Sequence, residues 1–329
     1  MTMTKTALRL RNASLLTALI ASSIALAGCG SSTDASAADA PAAAGFPVTV
    51  ESCGVDAEYT APPEKVVLGF PRTLETLAAL GVEDSVYGYT LGGYDALPDG
   101  YPDGIVEVSP DYTPAREAMI AAGPDLYLAN DEGQVLGEGT VSYDDLSDAG
   151  SHVYVLGQYC VDSPAPKSID RIYEDVTDLG LIFGVPERAA DVVADLKERV
   201  SAAAAKNPGD DLSVAYIQVY DGKIYANGGY PAAGILDALG VTNEFADLPG
   251  NFTELTKEEA LVRTPDVVIV NYVGAENEQG AIDDVRAALP SSPAVMNDRV
   301  YGSNEADFQA GGVSIIANLE YIADTLFGS

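Results

Sequence analysis

Apolar and polar positions divide the chain into short apolar runs and amphipathic stripes. Lys65–Phe70 is a run of the first kind, ended by Pro71, and predicts a strand buried on both faces. From Arg72 to Leu80, the residues Leu74, Leu77, Ala78 and Leu80 recur at helical spacing and Gly81 supplies a stop. The same reading predicts strands at Val86–Thr90, Asp125–Ala129 and Val153–Leu156, and a helix at Pro114–Ala122 with proline at its start. Strands alternating with helices imply a mostly parallel sheet. The rhythm then changes. Ser168–Lys206 is helix-compatible almost throughout, with Ile169, Ile172, Tyr173, Val176, Leu179 and Ile182 on one stripe, a break at Gly184 and Pro186, and a second stripe of Ala189, Val192, Val193, Leu196 and Val200. The part from Pro186 to Lys206 has 21 residues, about 32 Å as a helix, enough to bridge two lobes. Strand and helix patterns resume at Leu212–Val219, Ala232–Leu239, Thr256–Val262, Asp266–Val270, Ile282–Leu289, Val300-Tyr301 and Gly311–Leu326.

Two signals recur in the same order. Leu80-Gly81-Val82 closes the first helix of one half, and Leu239-Gly240-Val241 closes the first helix of the other. Pro124-Asp125 precedes Leu126-Tyr127-Leu128, and Pro265-Asp266 precedes Val267-Val268-Ile269. The offsets, 159 and 141, differ by an insertion of 18 residues. The pattern predicts an α/β fold of two Rossmann-like lobes with mostly parallel sheets, joined by a long α-helix. The expected boundaries are an N-terminal lobe at 61–166, a connecting helical segment at 167–209 and a C-terminal lobe at 210–329, preceded by a tether and N-terminal segment at 29–60.

The first 28 residues have their own pattern. Lys5, Arg9 and Arg11 precede an uncharged stretch from Ala13 to Ala27, about 22 Å as a helix against a bilayer core of about 30 Å. A basic start, a short apolar centre and small residues at the end make an export signal. It ends in Leu26-Ala27-Gly28-Cys29, which resembles a bacterial lipobox, so Cys29 is expected to be lipidated and to become the first residue; the alternative is an ordinary signal peptide. The Ala-, Ser- and Asp-rich stretch 33–45 suits a flexible tether. With Cys29 lipidated, Cys53 and Cys160 form an even pair in an exported chain, and a disulfide between them is expected.

Composition narrows the function. The chain has 329 residues and 47% of them are apolar, enough for a sizeable core. Its formal charge is −33, or −36 once residues 1–28 with their three cations are removed. Such a charge is repelled by phosphate backbones, so no nucleic-acid partner is expected. One histidine, His152, argues against a multi-histidine metal centre and reads as structural, and no Gly-x-Ser-x-Gly elbow, dinucleotide fingerprint or phosphate loop is present. An exported hydrolase is thus the weaker reading, and a purely structural envelope protein leaves a set of aromatic residues unexplained.

The exported, tethered, two-lobed pattern is similar to the substrate-binding lipoproteins of bacterial ABC importers for iron–siderophore complexes, haem or cobalamin. The similar segments are Pro63–Val67, Glu75–Val82, the two Pro-Asp strands, Ser168–Tyr173, Leu181–Pro186 and Asn297–Tyr301. The resemblance implies a rigid helical backbone, a ligand held between the lobes, a permease as partner, no catalysis and no cofactor. It also implies a monomer on the outer face of the cell membrane, held there by its lipid alone.

In open α/β sheets ligands bind beyond the carboxyl ends of the strands. Those positions here are Phe70, Pro71 and Arg72, then Tyr89 and Tyr94, then Asn130, Asp131 and Glu132, and in the second half Tyr220, Tyr225, Tyr230, Asn271, Tyr272, Asn304 and Phe308. An aromatic lining with few charges suits a bulky, partly apolar chelate. Each tyrosine has a packing role as its alternative, and Arg72 could pair with Glu75 on its own helix. Only Arg72 and Lys223 are placed to meet an anionic tris-catecholate, so a neutral or cationic hydroxamate complex fits better, with haem ligation by tyrosine left open. In the family that this chain resembles, a surface glutamate from each lobe pairs with permease arginines. Glu132 or Glu138 fills that place in the first lobe, and the second lobe, lacking a glutamate at Gly229-Tyr230-Pro231, offers Asp237 or Glu244.

Overall fold

The computed structural model of the protein describes residues 43–90, 97, 104–136, 139–156, 159–160, 168–209, 211–248, 250, 252–274, 277–309 and 311–328. Cys29, Tyr94 and Glu138 lie outside them. The chain order is β1 (Val48–Ser52), β2 (Val55–Tyr59), β3 (Val66–Leu68), α1 (Leu74–Leu80), β4 (Val86–Thr90), β5 (Val106–Ser109), α2 (Arg116–Ala122), β6 (Leu126–Ala129), α3 (Gly133–Leu136), α4 (Tyr143–Asp148) and β7 (His152–Val155). Two longer helices follow, α5 (Asp170–Ile182) and α6 (Pro186–Ala204). The second half holds β8 (Ser213–Tyr220), β9 (Lys223–Ala226), α7 (Ala232–Ala238), β10 (Thr242–Asn243), β11 (Thr253–Leu255), α8 (Lys257–Leu261), β12 (Val267–Tyr272), α9 (Glu278–Ala288), α10 (Pro293–Met296), β13 (Val300–Asn304), α11 (Glu305–Gln309) and α12 (Val313–Phe327).

The first sheet runs β5-β4-β3-β6-β7, parallel throughout. The second runs β11-β9-β8-β12-β13, with β10 also against β8; β10, β12 and β13 extend the parallel pattern, whereas β9 and β11 are antiparallel. The sequence pattern had no strand at β9. Asp221 and Gly222, both at positive φ, make a two-residue turn that folds β9 back onto β8. The chain is therefore α/β with two lobes, and the parallel series β4-β3-β6-β7 is matched by β10-β8-β12-β13.

The internal repeat has a physical basis. Gly81 and Gly240 adopt φ of 75° and 67°, and the N–H of the following valine returns to Leu77 and Leu236 in the two copies; a Cβ would oppose that backbone. The Asp125 carboxylate accepts the backbone N–H of Glu64 and Lys65 at the entry to β3, and Asp266 accepts that of Ser213 at the entry to β8. Each Pro-Asp turn thus fixes the register of one strand against its parallel neighbour.

The helical segment is two helices parted where the sequence placed the break: Gly184 at φ 68° follows the end of α5 and Pro186 opens α6, which has 19 residues rather than 21. They pack closely because Gly180 presents no side chain to Ala189. Near its start α6 touches the first lobe, where Arg188 Nε donates to Ala79 O. Near its end it grips the second, where Arg199 makes a two-pronged pair with Glu320 at 2.9 and 2.7 Å and Lys206 pairs with Asp324. One continuous apolar core runs through this brace: Leu68, Leu77, Val176, Leu196, Tyr216, Ile269 and Leu319 belong to it. Separate cores cover the outer face of each sheet. Cys53, in the turn between β1 and β2, is bonded to Cys160 beyond β7, and Ser52 Oγ both donates to Val155 O and accepts from Val155 N–H. His152 lies against Tyr59 with ring centroids 4.6 Å apart and the rings tilted by 44°, and burial holds its pKa below the ordinary value. No helix among the described residues is long and apolar enough to cross a membrane.

Candidate functional site

The carboxyl ends of β3 and β6 in the first lobe, and of β13 in the second, lie where the two lobes adjoin. In the first lobe, Gly69-Phe70-Pro71 leaves β3 and turns into α1; in the second, Gly229-Tyr230-Pro231 leads into α7. The match of these two tripeptides was a legible signal that the element pattern passed over. Phe70 and Tyr230 are both buried, Phe70 against Ala306 of the opposite lobe and Tyr230 edge-to-face with Tyr159 at 6.4 Å. Phe308 is likewise interior, stacked 4.7 Å from Tyr216, whose hydroxyl joins Ser303 and Asn318 in a buried polar triangle. All three aromatics are interior side chains, at 1% exposure or less.

Sequence reasoning missed how the seam closes. Arg72 Nη1 lies 3.0 Å from Glu75 and 3.1 Å from Asp307 on α11 of the other lobe. Glu75 accepts the Ser314 hydroxyl at 2.8 Å, and Thr76 Oγ1 accepts the Val313 N–H at 3.2 Å. Tyr159 donates to Gln309 Oε1 at 3.0 Å. Arg72 is thus held from both sides by carboxylates. Lys223 pairs with Glu254 at 2.9 Å on exposed β-strands. Neither of the expected groove cations presents an uncompensated charge.

Other expected positions separate. Tyr220 does end β8, but three residues past its last parallel partner, at the β8–β9 turn and 69% exposed, whereas Tyr225 lies within β9, whose pairings are antiparallel. Tyr89 is half-buried on β4, and Tyr272 ends β12 beside Gly302. Asn304 Oδ1 accepts the Ala306 N–H and fixes the entry to α11. Asp131 Oδ1 accepts the Gly133 N–H at 2.5 Å, yet burial raises its pKa. Glu132, expected on the surface, is buried at 8% exposure beside the Tyr143 hydroxyl, whose pKa burial pushes up, with this carboxylate adding to the effect. Glu244 is also engaged, its Oε1 accepting the Thr264 N–H. Asp237 is exposed on α7.

Gln134 is a positioning residue that the sequence did not signal. Fully buried, it donates to Gly69 O and Tyr112 O and accepts the Asn130 N–H. It ties the exit of β3 to the exit of β6 and leaves room only for glycine at 69, where a Cβ would stand 2.9 Å from Asn130 N. Asn130 and Asn271 close the equivalent strands β6 and β12, buried at 2% and 1% exposure. No group of three or more His, Cys, Asp or Glu side chains among the described residues is placed to hold a metal.

A two-lobed body with its strand ends meeting at a braced seam has a counterpart among known proteins: the family model described as periplasmic binding protein matches residues 66–306. The chain belongs to the periplasmic binding protein family. An uncharacterized ABC transporter substrate-binding lipoprotein, YvrC of Bacillus subtilis (strain 168), is 25% identical over 327 residues, covering 96% of this chain and 98% of that protein. A cobalamin-binding protein of Halobacterium salinarum is 30% identical over 235 residues, which span 70% of this chain and 58% of that protein. A structure of an ABC-type Fe3+-hydroxamate transport system from Saccharomonospora viridis DSM 43017 superposes with a TM-score of 0.72 at 29% identity, covering 85% of this chain and 99% of that chain. The periplasmic binding proteins of this kind bind substrates for ABC transporters and catalyse no reaction.

Proposed function

We propose that the chain captures a neutral or weakly cationic metal chelate, a ferric hydroxamate foremost, between lobes at 61–166 and 210–329 and hands it to an ABC importer permease. The observation that carries this reading is the pairing of Arg72 with Glu75 and Asp307 across the seam. A tris-catecholate or a haem propionate would need a cation to offset its charge, and this one is already offset. Phe70, Tyr230 and Phe308, packed beneath the strand ends, would give a large, partly apolar body an apolar backing. The name of the Saccharomonospora viridis relative agrees with a hydroxamate, and that of the Halobacterium salinarum relative favours cobalamin as a second reading.

Residues 1–28 serve in this reading as an export signal and Cys29 as the lipid attachment that holds the monomer on the outer face of the membrane. Asp237 is the C-lobe acid we assign to permease contact, and with Glu132 buried, Glu138 is its N-lobe counterpart. With 18 tyrosines and no tryptophan, intrinsic fluorescence reports on tyrosine alone. Titrating the purified protein with ferrioxamine B, ferrichrome, cyanocobalamin, haem and ferric enterobactin should give saturable quenching with the first, the second or the third. Absence of a saturable response to all five would remove the reading.

A further inference from the structure

We propose that Asn130 and Asn271 form a matched pair of amide contacts, one per lobe, that selects a ligand carrying amides or hydroxamates over one carrying free carboxylates or catecholates. The inference rests on the function proposed above and names the chemistry that the seam reads.

The two asparagines hold the same place in the internal repeat. Pro124-Asp125-Leu126-Tyr127-Leu128-Ala129-Asn130 aligns without a gap on Pro265-Asp266-Val267-Val268-Ile269-Val270-Asn271. Asp125 and Asp266 anchor the two strands at one end in the same way, so five residues later both strands deliver an asparagine at the other end. Side chains alternate along a strand. Leu126 and Leu128, like Val267 and Ile269, face the core shared by the two lobes, so Asn130 and Asn271 fall on that same face.

Both side chains are more than nine-tenths buried, and both are incompletely satisfied. Asn130 Oδ1 has no hydrogen-bond partner among the described residues, and neither Oδ1 nor Nδ2 of Asn271 has one. A buried amide left unpaired costs stability, and an apolar residue of similar size in its place would cost none. The preceding strand positions are apolar in both copies, so a leucine would continue each pattern. Two repeat-related positions at the ligand end of the strands therefore carry the same unfavourable choice. An incoming donor and acceptor would complete it. An amide is neutral and offers both functions, which complements the C=O and N–H of an amide or the C=O of a hydroxamate. It cannot compensate a carboxylate or catecholate charge, and the neighbouring Arg72 is held by Glu75 and Asp307.

The test uses the whole mature protein, its Asn130→Leu and Asn271→Leu variants and the double variant. Each is melted without ligand and titrated with ferrioxamine B, ferrichrome, cyanocobalamin, haem and ferric enterobactin. The expected result is a melting temperature equal to or above the parent's, with affinity for the bound amide or hydroxamate chelate reduced at least tenfold per substitution. Should a leucine variant fail to fold, Asn→Ala at that position removes the amide without added bulk and reads the same loss. A parent that binds none of the five refutes the proposed function itself. A parent that binds haem or ferric enterobactin but none of the other three leaves a binding protein and overturns the amide pair. Variants that bind an amide or hydroxamate chelate within twofold of the parent overturn it as well, the orphaned amides then being met by ordered water alone.

Discussion

Gly312→Ala tests whether the seam is as tight as its geometry indicates. Gly312 has φ 63° and ψ −143°, a region open to glycine and closed to residues with a side chain, so the alanine costs about 1–3 kcal/mol in backbone strain. The added Cβ would also overlap Thr76 Oγ1 and stand 3.2 Å from its Cβ, in the opposite lobe. Relief of that overlap moves Thr76 away and breaks its bond from the Val313 N–H, now 3.2 Å, for about 1 kcal/mol more. The total is about 2–4 kcal/mol, or roughly 5–10 °C in melting temperature for a body of this size. The assay is urea unfolding followed by circular dichroism on the parent, Gly312→Ala, Thr76→Ala and the double variant. In the Thr76→Ala background the overlap partner is gone, and the cost of Gly312→Ala should fall by about 1 kcal/mol to the strain alone. Equal costs in both backgrounds would show that residues 76 and 312 do not meet. A cost below about 0.5 kcal/mol in the parent would refute the strained conformation.

The Cys53–Cys160 bond closes a loop with a sequence separation of 107, so its reduction should lower unfolding free energy by about 4–5 kcal/mol, read by urea melts with and without reductant; unchanged midpoints would deny the bond a stabilising role. His152 is the chain's single histidine, and its lowered pKa means that the unfolded chain protonates first as pH falls from about 6.5. Stability is then full above that pH and declines below it; the imidazole resonance should titrate below 6.5, and a midpoint at or above 6.5 contradicts its burial against Tyr59. A formal charge of −33 repels itself across the surface, so melting temperature should rise as sodium chloride screens it, and a flat response would assign the acids to local pairs. Asp307→Asn removes one partner of Arg72 at a site that is a quarter to a third exposed. It should cost less than about 1 kcal/mol in stability while raising affinity for haem or ferric enterobactin, and unchanged discrimination between charged and neutral chelates would show that the pair does not set it.

Features that depend on neighbours in sequence were readable. The Leu-Gly-Val helix ends are local because the glycine conformation and its returning hydrogen bond involve residues within five positions. Helix stripes in α5 and α6 are local for the same reason, as is the break at Gly184 and Pro186. The cysteine pair was readable by count rather than by geometry. The β8–β9 hairpin was missed although Asp221-Gly222 is a strong turn signal, because β9 has only four residues, too few for an alternating pattern to stand out. Tyr225 was consequently set at a strand end although it lies within β9, and Tyr220 among the parallel-strand ends although β8 runs on past its parallel partners into the hairpin. Glu132 was read as surface because an acid is usually exposed, and no local cue announced the pocket that buries it.

The sequence by itself determined two α/β halves of one repeated plan, a helical brace between them, and a strongly negative net charge. Each of those follows from periodicity, turn chemistry or summed charge, quantities that a linear string contains. The Arg72–Glu75 pair was open to a reading of the sequence, but only the tertiary structure decided that Arg72 also meets Asp307, that Glu75 meets Ser314 across 239 residues, and that Asn130 and Asn271 end buried with amides unpaired. Such pairings depend on which surfaces come together once two sheets are packed against a shared core, and distance along the chain carries no information about that.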